Sequence, residues 1–189
     1  MLSPLFRDAW RLEELTVNYR TPALVSEVAE SMAATAGVPL TRTTAVRTGQ
    51  WPVEVIEASS AGIADAVVDA VALVRESGSG TVAVIATDNA VAALHSVLAA
   101  AIPGDVARGA MGLRRSVAVL TPGEAKGLEF DAVVVVEPSA IVESGPRGAG
   151  SLYVAMTRPT QRLVLVASRA LPDGIRSGIE ESARLLRLP

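Results

Sequence analysis

The segment Ala132-Val133-Val134-Val135-Val136 is apolar on both faces of any strand it forms. That pattern belongs to central strands of a parallel sheet, which helices cover on both sides. Neighbouring parallel strands must then be joined by long crossovers, usually helices. The sequence supplies both parts. Thr81–Thr87, Val117–Leu120, Val53–Ala58 and Arg162–Ala167 are further strand-like runs, and Leu15, Val17 and Tyr19 alternate with polar residues. Between them lie helical patterns. Thr21 reads as an N-cap with Pro22 at the first helical position, Leu24, Val25, Val28, Ala29 and Met32 share one face, and Gly37 offers a left-handed stop. Ala61–Arg75 is a second amphipathic helix, Asp88 caps a third carrying Val91, Leu94 and Leu98, Ser151–Arg158 is short, and Ile175–Leu186 closes the chain. Thr41–Gln50, Glu76–Gly80 and Ser139–Gly148 read as loops or turns. Five or six strands alternating with helices predict a three-layer α/β domain with a mainly parallel sheet, its ligand site at the carboxyl ends of the strands.

Composition narrows the chemistry. The chain has no cysteine, which excludes a disulfide scaffold, a thiolate zinc site and a cysteine nucleophile. Its one histidine, His95, excludes a multi-histidine metal centre. No apolar run approaches the 18 or so residues of a spanning helix, and no signal peptide opens the chain, so no membrane role and a cytoplasmic location are expected. The net charge of −3 argues against a general nucleic-acid footprint. A local basic patch at Arg108, Arg114 and Arg115 is left. The only lysine, Lys126, lies in Ala-Lys-Gly-Leu-Glu-Phe and not in a Gly-x-x-x-x-Gly-Lys-Ser/Thr loop, so the chain has no P-loop of its own.

Three segments join a strand end to charged or aromatic residues: Asn18-Tyr19-Arg20-Thr21-Pro22, Leu120–Asp131 with its Lys126-Gly127-Leu128-Glu129-Phe130-Asp131, and Leu152–Gln161 with Ala155-Met156-Thr157-Arg158. Their content and order resemble the C-terminal motor-domain motifs of superfamily 1 helicases of the UvrD/Rep type, over about residues 12 to 168. The wording around Thr121–Lys126 and Thr157–Leu163 is most similar to the HelD branch, helicase-IV-like ATPases associated with RNA polymerase. The resemblance implies that residues 1–189 form one RecA-like domain facing a P-loop domain of the same parent chain across a cleft for ATP with Mg2+.

Carried over motif by motif, Tyr19 resembles the residue that stacks on adenine, Arg20 and Arg158 the two arginines that reach the γ-phosphate, and Glu129 the glutamate that binds the ribose hydroxyl. Gly127 would let the backbone approach the ligand. Lys126 would link the nucleotide to a nucleic-acid track, and Gln161 would extend the site. Arginine suits phosphate because its guanidinium is permanently charged and bidentate. Arg20 also precedes a helix N-terminus, which favours anions. The chain departs from the pattern at Gly123-Glu124, where many UvrD-type sequences carry His-Ser against single-stranded DNA, and it lacks their large insertion. Aromatic residues make up 3% of the chain, too few for a base-stacking platform. The expectation is therefore an ATP-driven motor half that remodels or recycles RNA polymerase, inactive alone. The alternatives are half of a 3′-to-5′ DNA repair helicase and a non-catalytic docking module.

Overall fold

A computed structural model of the chain describes residues 16–78, 80–109 and 115–186. In order the elements are β1 (Val17–Asn18), α1 (Ala23–Thr35), β2 (Thr44–Ala45), β3 (Glu54–Glu57), α2 (Ile63–Glu76), β4 (Val82–Ile85), α3 (Asp88–Ala101), β5 (Val106–Arg108), β6 (Val117–Leu120), β7 (Phe130–Val136), α4 (Pro138–Glu143), α5 (Gly148–Met156), β8 (Pro159–Ala167) and α6 (Ile175–Leu185).

Six strands form one sheet in the order β3-β8-β7-β4-β6-β5, and every pair is parallel. The period of two along each strand divides the core. Ala83, Ile85, Leu120, Val133, Val135, Leu163 and Leu165 face α1, α5 and α6, while Val82, Val84, Val117, Val134, Val136 and Val164 face α2 and α3. The central run 132–136 is buried throughout, as its two-sided apolar pattern requires. This is a three-layer α/β fold.

The structure also corrects several sequence expectations. Pro22, not Thr21, occupies the N-cap of α1. The Thr21 hydroxyl is nearly fully buried and donates to the Thr157 carbonyl, so a tertiary bond has displaced the local one. The helix does end as expected: Gly37 adopts φ +70° while the Val38 and Gly37 amides bond the Ala33 and Ala34 carbonyls, a Schellman closure. The N-cap of α3 is Thr87 rather than Asp88, which is the first helical residue. The loop read over 41–50 contains β2, which pairs in parallel with β1. The loop read over 139–148 contains α4, and α5 begins at Gly148, ahead of the expected Ser151. Of the earlier candidates, Leu15 and Arg114 lie outside the described residues.

Candidate functional site

The site begins with a tight turn after β1. Asn18 accepts the backbone amides of Arg20 (3.0 Å) and Thr21 (3.1 Å) on its Oδ1, which bends the chain and turns Tyr19 and Arg20 outward. Tyr19 is 71% exposed, so its ring is no part of the core. Thr21 then ties this turn to the end of α5 through its bond to Thr157, 136 positions away.

Arg158 leaves the C-terminus of α5. Its Nε donates to the Val154 carbonyl (2.9 Å) and its Nη1 to the Leu128 carbonyl (3.3 Å). Val154 lies in the last turn of the helix, where carbonyls lack intrahelical partners. The guanidinium is therefore anchored from behind. Partial burial lowers its pKa, and repulsion from Arg20 adds to the shift. Arginine stays protonated nonetheless.

Glu129 arrives on the segment 121–129, which runs from the end of β6 to the start of β7. Its carboxylate forms an ion pair with the Arg20 guanidinium, each side chain a little under half exposed. An exposed pair of this kind contributes roughly 0.2–1 kcal/mol. A phosphate offering bidentate acceptors to Arg20 can replace it at little cost.

Tyr19, Arg20 and Arg158 line one open groove of about 400 Å³ with Asn18, Thr43, Tyr153 and Thr157, and Glu129 joins them through Arg20. Burial raises the Tyr153 pKa, with the Glu30 carboxylate adding to it, so the phenol stays protonated at neutral pH. The other candidates sit apart. Gln161 donates to Asp131 (3.0 Å) and lines an adjoining cavity with Arg47 and Trp51. Lys126 is exposed in a different groove with Pro39, Gly123 and Arg147. Gly127 takes φ +83° with open space where a side chain would stand, so there the requirement for glycine is conformational.

The motif cluster does not coincide with the strand carboxyl ends where a ligand site was expected. The cluster lies at the amino-terminal edge of the sheet, because Glu129 and Arg158 immediately precede β7 and β8. The α1 N-terminus is closed to anions as well. The Ala23 and Leu24 amides bond the Arg47 and Thr48 carbonyls at 2.8 and 3.1 Å. An anion here gains nothing from those two amides. Glu124 also proves local: its carboxylate accepts from the Thr121 amide and hydroxyl, and its own amide bonds the Thr121 hydroxyl, the reciprocal bonding of a capping box closing a turn that no helix follows. Sequence reasoning missed Tyr153, Arg47 and the part played by Asn18. An asparagine ahead of a turn is a readable signal; Arg47, in a polar loop, offers none.

No family model matches the chain, and no curated protein matches it. Solved structures do. The C-terminal domain of a possible DNA helicase from Lactobacillus plantarum WCFS1 is 25% identical, with a TM-score of 0.63 over 84% of this chain and 92% of that one. This chain has the fold of a RecA-like helicase C-terminal domain. A hypothetical ATP-dependent RNA helicase from Sulfolobus tokodaii (19% identity, TM-score 0.49, 68% of this chain and 44% of that one) and the C-terminal domain of the DEAD-box protein Dbp5 (11%, 0.46, 75% and 86%) are more distant. Among the described residues, no helix is long and apolar enough to cross a membrane, and no group of three or more His, Cys, Asp or Glu side chains is placed to hold a metal ion.

Proposed function

We propose that this chain is the second half of a superfamily 1 ATP-dependent motor, lending Arg20 and Arg158 to a nucleotide whose phosphates are cradled by a separate P-loop domain. The observation that carries this reading is the convergence of Arg20, Arg158 and Glu129, from three distant segments, on one rim with an exposed Tyr19 beside them. The donor set suits a nucleoside triphosphate: guanidinium groups for phosphate oxygens, a carboxylate acceptor for a ribose hydroxyl, and a free aromatic face for a base. Mg2+ would be held on the P-loop side, where it would neutralise charge on the β- and γ-phosphates.

Each residue then has a task. Arg158, fixed by two carbonyls, is preorganised, so little reorganisation accompanies charge development on the transferred group. Arg20 exchanges Glu129 for phosphate, and the released carboxylate becomes free to accept the ribose hydroxyl. Tyr19 packs on the base. The test is ATP turnover by the polypeptide that joins this chain to its P-loop domain. Arg158→Ala should lower kcat about 10³-fold or more, the scale of a lost arginine finger, with the thermal midpoint kept within a few degrees. Near-normal turnover would sink the reading. This chain alone should hydrolyse no ATP.

Within that reading we favour a HelD-like parent that acts on RNA polymerase. The support is chemical: Gly123-Glu124 stands where UvrD-type chains carry His-Ser, and the chain is acidic overall with few aromatic residues. The similarity to a domain of a possible DNA helicase supports a DNA-unwinding parent, which under the alternative is a 3′-to-5′ helicase in repair. ATPase stimulation by single-stranded DNA together with strand separation selects the second reading. Co-purification with RNA polymerase and weak DNA stimulation select the first.

A further inference from the structure

Arg47 is exposed, lies in a segment with no recognisable motif, and yet touches both halves of the arginine rim. A single nitrogen, its Nη2, donates to the Arg20 carbonyl at 2.6 Å and to the Thr160 carbonyl at 2.8 Å. Its own carbonyl accepts the Ala23 amide at 2.8 Å, the first amide of α1. One residue therefore joins the turn bearing Arg20, the segment that follows Arg158, and the helix between them and the core. The parallel pairing of β1 with β2 brings it there, the Asn18 carbonyl accepting the Val46 amide at 2.9 Å. Gly49 then allows the segment to close: it holds φ +95°, and a Cβ there would stand 2.7 Å from the Pro22 Cβ.

We infer that Arg47 is a positioning residue for the proposed ATP hydrolysis, setting the separation and relative orientation of Arg20 and Arg158. The inference rests on the motor reading above and adds to it a residue that touches neither nucleotide nor metal. Its physical basis is the steep dependence of catalysis on placement. The two guanidinium groups must meet one phosphoryl group together, and a shift of about 1 Å can cost on the order of 10²-fold in rate. The Thr21 hydroxyl to Thr157 carbonyl bond, at 3.3 Å, is the other described hydrogen bond between these two segments, and it is long. Besides Arg47, that bond and the packing of α1 on α5 hold the Arg20 turn to the Thr160 segment.

The test is steady-state ATP turnover by the joined polypeptide, read as a double-mutant cycle on Arg20 and Arg47. Arg47→Met should lower kcat about 10- to 100-fold with KM for ATP changed less than about threefold, because placement in the transition state is lost and ground-state binding is not. Arg47→Lys, which can reach one carbonyl, should recover part of the loss. Arg20→Ala with Arg47→Met should be no slower than Arg20→Ala alone, since Arg47 acts through Arg20. A multiplicative loss in the double variant overturns the inference, as does wild-type turnover with Arg47→Met, or a loss matched by a lowered folded fraction in circular dichroism. Wild-type turnover with Arg20→Ala overturns the inference and the motor reading together; loss with Arg20→Ala but not with Arg47→Met overturns the inference alone.

Discussion

The two edges of the sheet differ in how most of their charged side chains are held, Asp131 and Asp105 being exceptions that accept the Thr81 and Ser116 amides at the amino-terminal edge. At the amino-terminal edge arginines rest on carbonyls: Arg158 on Val154, Arg162 on Leu73, Arg47 on Arg20 and Thr160. At the carboxyl-terminal edge carboxylates rest on amides: Glu124 on Thr121 and Glu137 on Ser168. Topology explains the first half of the contrast. The Val154 and Leu73 carbonyls belong to the ends of α5 and α2, crossover helices that finish at the amino-terminal edge with carbonyls short of intrahelical partners, whereas the Thr121 and Ser168 amides follow the ends of β6 and β8. The helix dipoles have the same polarity. The site proposed above would need arginines to reverse the local sign of that edge, and it would depart from ligand placement at the carboxyl ends of strands because its charge would come from side chains.

The largest effect within this comparison is expected at Arg162. Its side chain is 4% exposed, pairs with Glu54, bonds the Leu73 carbonyl and Ser77 hydroxyl, and stacks on Trp51. Arg162→Met should cost about 2 to 3 kcal/mol in chemical denaturation, toward the low end for a broken buried pair because Glu54 is a third exposed. A loss under about 0.5 kcal/mol would show that arginines on this edge are not clamped as described. At the opposite edge Glu124→Ala removes the acceptor of the Thr121 amide and hydroxyl in an exposed turn and should cost about 0.5–1 kcal/mol by the same measurement. No loss there would mean that the amides of that turn are satisfied without it.

The smallest effect concerns an exception to the contrast. Asp105 is a carboxylate at the amino-terminal edge, and bonds from the Ser116 side chain and amide, reinforced by Arg75, lower its pKa. A depressed folded pKa gives stability that is present above the unfolded value and is lost as pH falls through the folded one. Asp105→Asn should therefore flatten the decline in stability below about pH 4, followed by thermal midpoints across an acid series. An unchanged slope would place the acid sensitivity in other carboxylates.

Much of this architecture was legible in advance. The strands around 82–85, 117–120 and 132–136 and the helices α1, α2 and α3 follow from periodicity, because their burial is set by the alternation of their own residues. The two-residue strands β1 and β2, the three-residue β5 and the six-residue α4 are too short to establish a period. In α5 the opening Gly-Ala-Gly has poor helix propensity, and contacts with α4 and α1 override it. The site divides in the same way. Tyr19, Arg20, Glu129 and Arg158 came from motif order; that Gln161 turns to Asp131 and Lys126 to another groove depends on side-chain partners that no spacing encodes.

The closed first turn of α1 has one more consequence. A phosphate cradle made of main-chain amides survives most substitutions, because no side chain supplies its grip. A rim assembled from separate guanidinium groups can be dismantled one residue at a time, leaving the scaffold intact. Under the motor reading proposed above, a variant of this fold would therefore abandon triphosphate chemistry in a single step and persist as a well-formed, silent platform.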